Sequence, residues 1–275
     1  MVPGRDLRLA CDRWQPERGE HRGTVVLLHG GGQTRHSWRR TADRLVGLGW
    51  TVLAYDARGH GDSDRAPNGD YGLDAIVDDL SAVVDGTGVD PVLVRASLGG
   101  HTALAALGRE PVIAAGLVLV DVIPRIDHAG RARIVRFIGG APDGFGSREQ
   151  VAEAVVAYNP HRPRPRNLDG LRKNVRRHDD GRWYWHGDPR FLDGAATRDD
   201  EHRLVEAARS LQVPTMLVRG AGSDVVTDDG VEHLRSLVGH VRVETVPAGH
   251  MIAGDDNDVF TTHLADFLDA TEQQR

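Results

Sequence analysis

VLVRASLGGHTAL, residues 92–104, is the stretch whose reading decides the fold. Its opening residues form a short run rich in β-branched and aliphatic side chains, the pattern of a strand buried on both faces. At Ser97 the pattern changes to Leu-Gly-Gly-His-Thr-Ala-Leu, a helical stretch whose glycines allow close packing. A buried strand that becomes a helix at a single serine holds that hydroxyl at the carboxyl edge of a parallel sheet, where open α/β sheets bind ligands. Ser97 is therefore a candidate nucleophile. The same serine could instead serve only as a helix cap, so its neighbours in the fold decide.

Working outward, the same rhythm recurs. TVVLLHG (24–30) and WTVLAYD (50–56) read as buried strands with a helix over Ser37–Leu48 between them. A polar turn, ARGHGDSDR, leads to a helix over Leu73–Val84, and VIAAGLVLVDV (112–122) closes the first half of the sheet. LRLACDRW (7–14) alternates as an edge strand does, with Cys11 a packing residue. Between about Ile126 and Leu204 arginine, glycine, proline and aromatic residues crowd together and the alternation fails. It resumes with a helix, then VPTMLVRG (213–220) and VRVETVP (241–247). Strands alternating with helices imply a mostly parallel sheet covered on both faces. The interruption implies a helical cap over 127–204, containing REQVAEAVVAY (148–158) as a helix, set into a core formed by 1–126 and 205–275.

Composition narrows the function classes. A net charge of −6 over 275 residues gives no electrostatic reason to bind nucleic acid. No apolar run approaches the ~20 residues of a membrane-spanning helix, and the amino-terminal segment, charged by Arg5, does not read as a secretory signal. A cytoplasmic protein acting on a small molecule is the expectation. One cysteine excludes an internal disulfide framework, and the 14 histidines show no HExxH-like spacing. No metal and no organic cofactor are expected.

The chemistry-bearing residues fall at strand ends. PTMLVRGAGSD delivers Asp224 and VETVPAGHMI delivers His250, each just past a strand, and Asp121 follows GLVLV as a second carboxylate candidate. Serine needs an imidazole to accept its proton, and the imidazole needs a carboxylate to fix its tautomer. The chain order serine, acid, histidine is that of one known arrangement of such a triad. Ser97 as nucleophile, Asp224 as orienting acid and His250 as base are the expected set. His29-Gly-Gly-Gly follows a buried strand, where small residues leave backbone N–H groups open to a carbonyl oxygen, and Leu98 N–H lies at a helix start. Trp183 and Trp185, in GRWYWHGDPRF, are candidate substrate-binding surfaces or parts of a small cap core.

Through HGGGQTRHSW, DARGHGDSD, SLGG, RGAGSD and GHMIAGDDND, spread over most of the chain outside the inserted stretch, the sequence resembles the α/β-hydrolase superfamily. The resemblance implies an eight-stranded-type sheet, a cap over the active site, and an oxyanion hole drawn from Gly31 and Leu98. It implies a serine hydrolase acting on an ester or lactone, with carbon–carbon bond hydrolysis or cofactor-free peracid chemistry as alternatives on the same triad. Aspartate-nucleophile relatives, the epoxide hydrolases and haloalkane dehalogenases, differ at the elbow, which here carries serine. One departure from the family pattern stands out: Arg95 replaces the first glycine of Gly-x-Ser-x-Gly. Its side chain must crowd the turn, which would favour a non-catalytic ligand binder, or leave the turn and pair with a carboxylate.

Overall fold

In the computed structural model, which describes residues 1–17, 21–109, 113–158, 168–194, 198–252 and 258–274, strands and helices alternate as the sequence implies. The strands are β1 Val2–Pro3, β2 Arg8–Leu9, β3 Cys11–Trp14, β4 Gly23–Leu28, β5 Trp50–Tyr55, β6 Val92–Ala96, β7 Gly116–Val120, β8 Val175–Arg177, β9 Trp183–Trp185, β10 Thr215–Gly220 and β11 Arg242–Val246. The α-helices are α1 Arg39–Gly47, α2 Leu73–Asp85, α3 Leu98–Arg109, α4 His128–Gly139, α5 Arg148–Tyr158, α6 Arg198–Arg209, α7 Asp228–Leu237 and α8 Asp258–Glu272. Residues 159–167 and 195–197 of the inserted stretch, and 253–257 of GHMIAGDDND, lie outside the described residues.

The central sheet has seven strands in the order β11-β10-β7-β6-β4-β5-β3. All neighbours are parallel except β3, which runs antiparallel to β5 at the edge. This is one strand short of the eight-stranded expectation, because Arg8–Leu9 pairs with Val2–Pro3 in a separate two-residue ladder. Side-chain alternation along each strand divides the core. Leu93, Leu117, Leu119 and Leu217 face the layer of α2, α3, α6 and α7, while Val92, Val94, Val118 and Val218 face α1 and α8. The chain winds outward from β4 in both directions, so the crevice between the carboxyl ends of β4 and β6 is the topological switch point, the place such sheets bind ligands. His29–Gly32 and Ser97 leave the sheet there.

The inserted stretch has a core of its own, built from Val151, Ala152, Val155, Leu171 and Val175. It is sewn to the loop after β5: Gly61 N–H donates to His186 O at 2.8 Å, Asp188 N–H to Gly59 O at 2.7 Å, and Tyr71 hydroxyl to Asp188 at 2.6 Å. The helix α6 runs across the 204/205 division drawn from sequence and buries Leu204, Val205 and Ala208 in the main core. It packs with the sheet rather than the cap. Among the described residues no helix is long and apolar enough to cross a membrane.

Arg95 leaves the turn. By alternation it lies on the Leu93 face, beneath α2 and α3, fully buried. Its Nη1 donates to Tyr55 hydroxyl at 3.3 Å and its guanidinium sits 5.4 Å from the Tyr55 ring centre. Nε and Nη2 have no partner, and among the described residues no carboxylate pairs with it. Burial therefore pushes its pKa below the ordinary arginine value. A buried cation without a counter-charge is destabilising. Replacing it by Met together with Tyr55→Phe, which orphans no hydroxyl, should stabilise the fold by on the order of 2 kcal/mol. Urea unfolding measures this; a lower midpoint in the double variant would show that the guanidinium is compensated.

Candidate active site

Ser97 occupies the sharp turn between β6 and α3 with φ of 47°, in the left-handed region that non-glycine residues rarely adopt. The turn is held from both sides: Ser97 N–H donates to Val120 O at 3.3 Å, and Ser97 O accepts Gly100 N–H at 2.8 Å. Glycine is demanded just beyond it. A Cβ at Gly99 would stand 2.9 Å from Leu28 O, and one at Gly100 would stand 2.2 Å from the Val122 side chain, so α3 could not approach the sheet this closely with any other residue there.

The carboxylate that meets His250 is Asp121, and this corrects the expectation of Asp224. His250 Nδ1 lies 2.8 Å from Asp121 Oδ2. Asp121, the residue after β7, also takes a positive φ, 49°, which turns its side chain across the strand ends. Fully buried, its carboxylate accepts from Gly220 N–H at 2.8 Å and Ser223 hydroxyl at 2.6 Å as well. Three partners on one buried carboxylate fix its orientation. Asp224, only one residue past Ser223, does not meet His250 and pairs instead with Arg133 of α4 at 2.7 Å.

The glycine loop after β4 is held by a set of hydrogen bonds to its own peptides. The Gly30–Gly31 peptide is trans, so fixing its carbonyl aims its N–H the opposite way. That carbonyl accepts from His29 Nδ1–H at 2.8 Å and from Gln33 N–H at 3.2 Å. His29 in turn accepts Ala57 N–H on Nε2 at 3.1 Å, which fixes the neutral tautomer. Gly30 N–H is taken by Gln33 Oε1 and Gly32 N–H by His60 Nε2, both at 3.2 Å. Among the described residues Gly31 N–H has no acceptor, and Leu98 N–H, the first of its helix, has none either. Both residues and Ser97 border one cavity. His29 and His60 thus act as props for this loop.

Ser97 and His250 border a second cavity, which Trp185 of the inserted stretch also lines. Trp183 borders neither cavity. It pairs through its backbone with Phe145, lies beneath the Arg148 guanidinium at 5.8 Å, and belongs to the cap's own core. Sequence reading missed Phe137 and Tyr158 as cavity walls; their rings stack at 4.3 Å. An aromatic residue at the end of the REQVAEAVVAY helix was the available signal. Among the described residues, no group of three or more His, Cys, Asp or Glu is placed to hold a metal ion.

Burial holds His29 and His101 neutral and pushes the His60 pKa down to about 4. A depressed histidine contributes stability that is intact above the unfolded value of about 6.5 and is lost as pH falls through the folded value. Unfolding free energy should therefore decline from pH 6.5 towards 4, and His60→Gln should make that decline shallower. An equal slope in the variant would show that His60 is not buried neutral.

Comparison with known proteins places this architecture. A family model described as the α/β hydrolase fold matches residues 23–256. The chain is similar to esterase Rv0045c of Mycobacterium tuberculosis, 33% identical over 241 residues that cover 84% of this chain and 78% of that protein. A solved structure of that esterase superposes with a TM-score of 0.74 at 29% identity, covering 97% of this chain and 93% of its own. An α/β hydrolase from Novosphingobium aromaticivorans superposes with a TM-score of 0.80 at 25% identity, over 96% of this chain and 94% of that one. With the seven-stranded sheet, the serine elbow and the family match all in agreement, the chain is a hydrolase that belongs to the α/β-hydrolase family.

Proposed function

We propose that this protein cleaves a carboxylic ester or lactone through an acyl-enzyme on Ser97, with His250 as general base and acid and Asp121 as the carboxylate that orients it. The observation that carries this reading is the 2.8 Å His250–Asp121 contact at the edge of a cavity that Ser97 also borders. Similarity to a mycobacterial esterase over most of the chain supports the ester bond as target. The binder reading rested on Arg95 crowding the elbow, and the Arg95 side chain lies instead beside Tyr55.

In the mechanism, Ser97 Oγ attacks the substrate carbonyl carbon while its proton passes to His250 Nε2. Asp121 keeps Nδ1–H in place and stabilises the imidazolium. The carbonyl oxygen becomes an oxyanion, accepting hydrogen bonds from Gly31 and Leu98 N–H, and each such donor contributes about 3 kcal/mol to the transition state. Collapse breaks the bond to the alcohol oxygen, which leaves with the proton from His250. Water then loses a proton to His250, attacks the acyl carbon, and releases the acid while Ser97 recovers its proton. In a lactone the alcohol remains tethered to the acyl group.

Ser97→Ala should abolish both p-nitrophenyl ester hydrolysis and labelling by a fluorophosphonate. Asp121→Asn should lower kcat by about 10^4-fold by allowing the wrong imidazole tautomer, whereas Asp224→Asn should cost little. The opposite ranking of the two aspartate variants would return the acid role to Asp224.

A further inference from the structure

Ser97 sits where two cavities meet. One, of about 60 Å3, runs under the cap past Phe137, Tyr158, Asn174 and Trp185, with His250 and Met251 at its inner end. The other, of about 130 Å3, runs towards α6 past Leu98, His101, Ile126, Val135 and Leu192. Gly31, Ser97, Ile134 and Ile138 border both, and His250 borders only the first.

This asymmetry distinguishes the two halves of an ester. The proton taken from Ser97 resides on His250 and must reach the departing oxygen, and proton transfer requires hydrogen-bond reach of about 3 Å. The alcohol oxygen therefore lies beside His250, and the body of the alcohol continues into the cavity that His250 lines. The carbonyl oxygen faces Gly31 and Leu98, leaving the acyl chain the other direction, where Leu98 forms a wall. The chemistry of the walls matches this division. The His250 cavity is the smaller and is ringed by aromatic faces, with Phe137 stacked on Tyr158 and 5.0 Å from the Trp185 ring. The aromatic surface that these rings present to the cavity favours a ring-bearing guest. The Tyr158 hydroxyl, partnerless among the described residues, can hydrogen-bond a polar substituent on it. Most of the α6-side cavity wall is aliphatic, while His101, Arg131 and Glu201 add polar groups; Val135 is 38% exposed, so a chain can extend past it towards solvent.

Resting on the esterase reading above, we infer that the leaving alcohol occupies the His250 cavity and the acyl chain the α6-side cavity. The substrate class is an ester of a compact aryl or arylmethyl alcohol with an extended aliphatic acid.

Two ester series test it, one varying the alcohol on a fixed acetyl group (phenyl, benzyl, 1-naphthyl), the other varying the acyl chain on fixed p-nitrophenol from acetate to octanoate. Phe137→Ala, which opens the His250 cavity, should raise kcat/KM for 1-naphthyl relative to phenyl acetate by about tenfold and leave the acyl-chain ranking as in the wild type. Phe137→Leu serves if the alanine variant does not fold. Val135→Trp, which narrows the α6-side cavity, should lower octanoate relative to acetate by about tenfold and leave the alcohol ranking unchanged. If Phe137 variants alter the acyl ranking, or Val135→Trp the alcohol ranking, the division is overturned while the esterase reading stands. If mass spectrometry finds no acyl group on Ser97 with any ester, both fall together.

Discussion

The Asp121 carboxylate is the junction on which the arrangement of the site depends. It joins three strand ends: it follows β7, accepts from Gly220 at the end of β10 and from Ser223 beyond it, and meets His250 in the loop after β11. These strands are neighbours in the sheet, so parallel pairing brings their carboxyl ends together before any side chain is chosen. What pairing alone does not supply is a fixed imidazole. A buried carboxylate left without hydrogen-bond partners is unfavourable, and the His250 ring is one of the three partners that Asp121 has here. The same contact therefore serves stability and the proposed chemistry.

The glycine loop after β4, proposed to supply an oxyanion donor, follows a parallel logic. Neutral His29 and His60, Gln33, and the trans Gly30–Gly31 peptide together consume nearby hydrogen-bonding groups and leave Gly31 N–H open. Donors that are already oriented need no reorganisation as charge develops, which is where electrostatic catalysis gains its advantage. Such preorganisation is costly elsewhere: two residues, Ser97 and Asp121, hold positive φ without being glycine, and the histidines that brace the loop are vulnerable to acid. Arg95 adds a buried cation to the same region, and nothing in the contacts around it explains why a guanidinium stands there.

Much of this was legible in the sequence because it rests on periodicity and on residue type at strand ends. VLVRA, TVVLL and WTVLAY could only be buried strands, and the α5 helix coincides with REQVAEAVVAY. Ser97 and His250 were legible because each follows such a strand. The acid was not, because two carboxylates end adjacent strands, and the choice between them depends on partners far away in sequence. Asp121 turns inward to Ser223 and Gly220, about a hundred residues on, and Asp224 is engaged by Arg133 of α4. The two tryptophans of β9 illustrate the same limit. Alternation puts Trp183 and Trp185 on one face, but pairing with Phe145 commits the first to the cap core and only the second reaches the cavity. The sheet has seven strands, and the short ladder of Arg8–Leu9 with Val2–Pro3 stands apart from it, a pairing that no hydrophobic pattern announces.

The central claim, that Asp121 and not Asp224 governs His250, is tested most directly by proton NMR of the imidazole Nδ1–H. A hydrogen bond of 2.8 Å to a buried carboxylate shields that proton from exchange and moves its resonance far downfield. The account predicts a downfield His250 resonance in the wild type that persists in Asp224→Asn and disappears from that region in Asp121→Asn. A resonance lost in Asp224→Asn and retained in Asp121→Asn would contradict it.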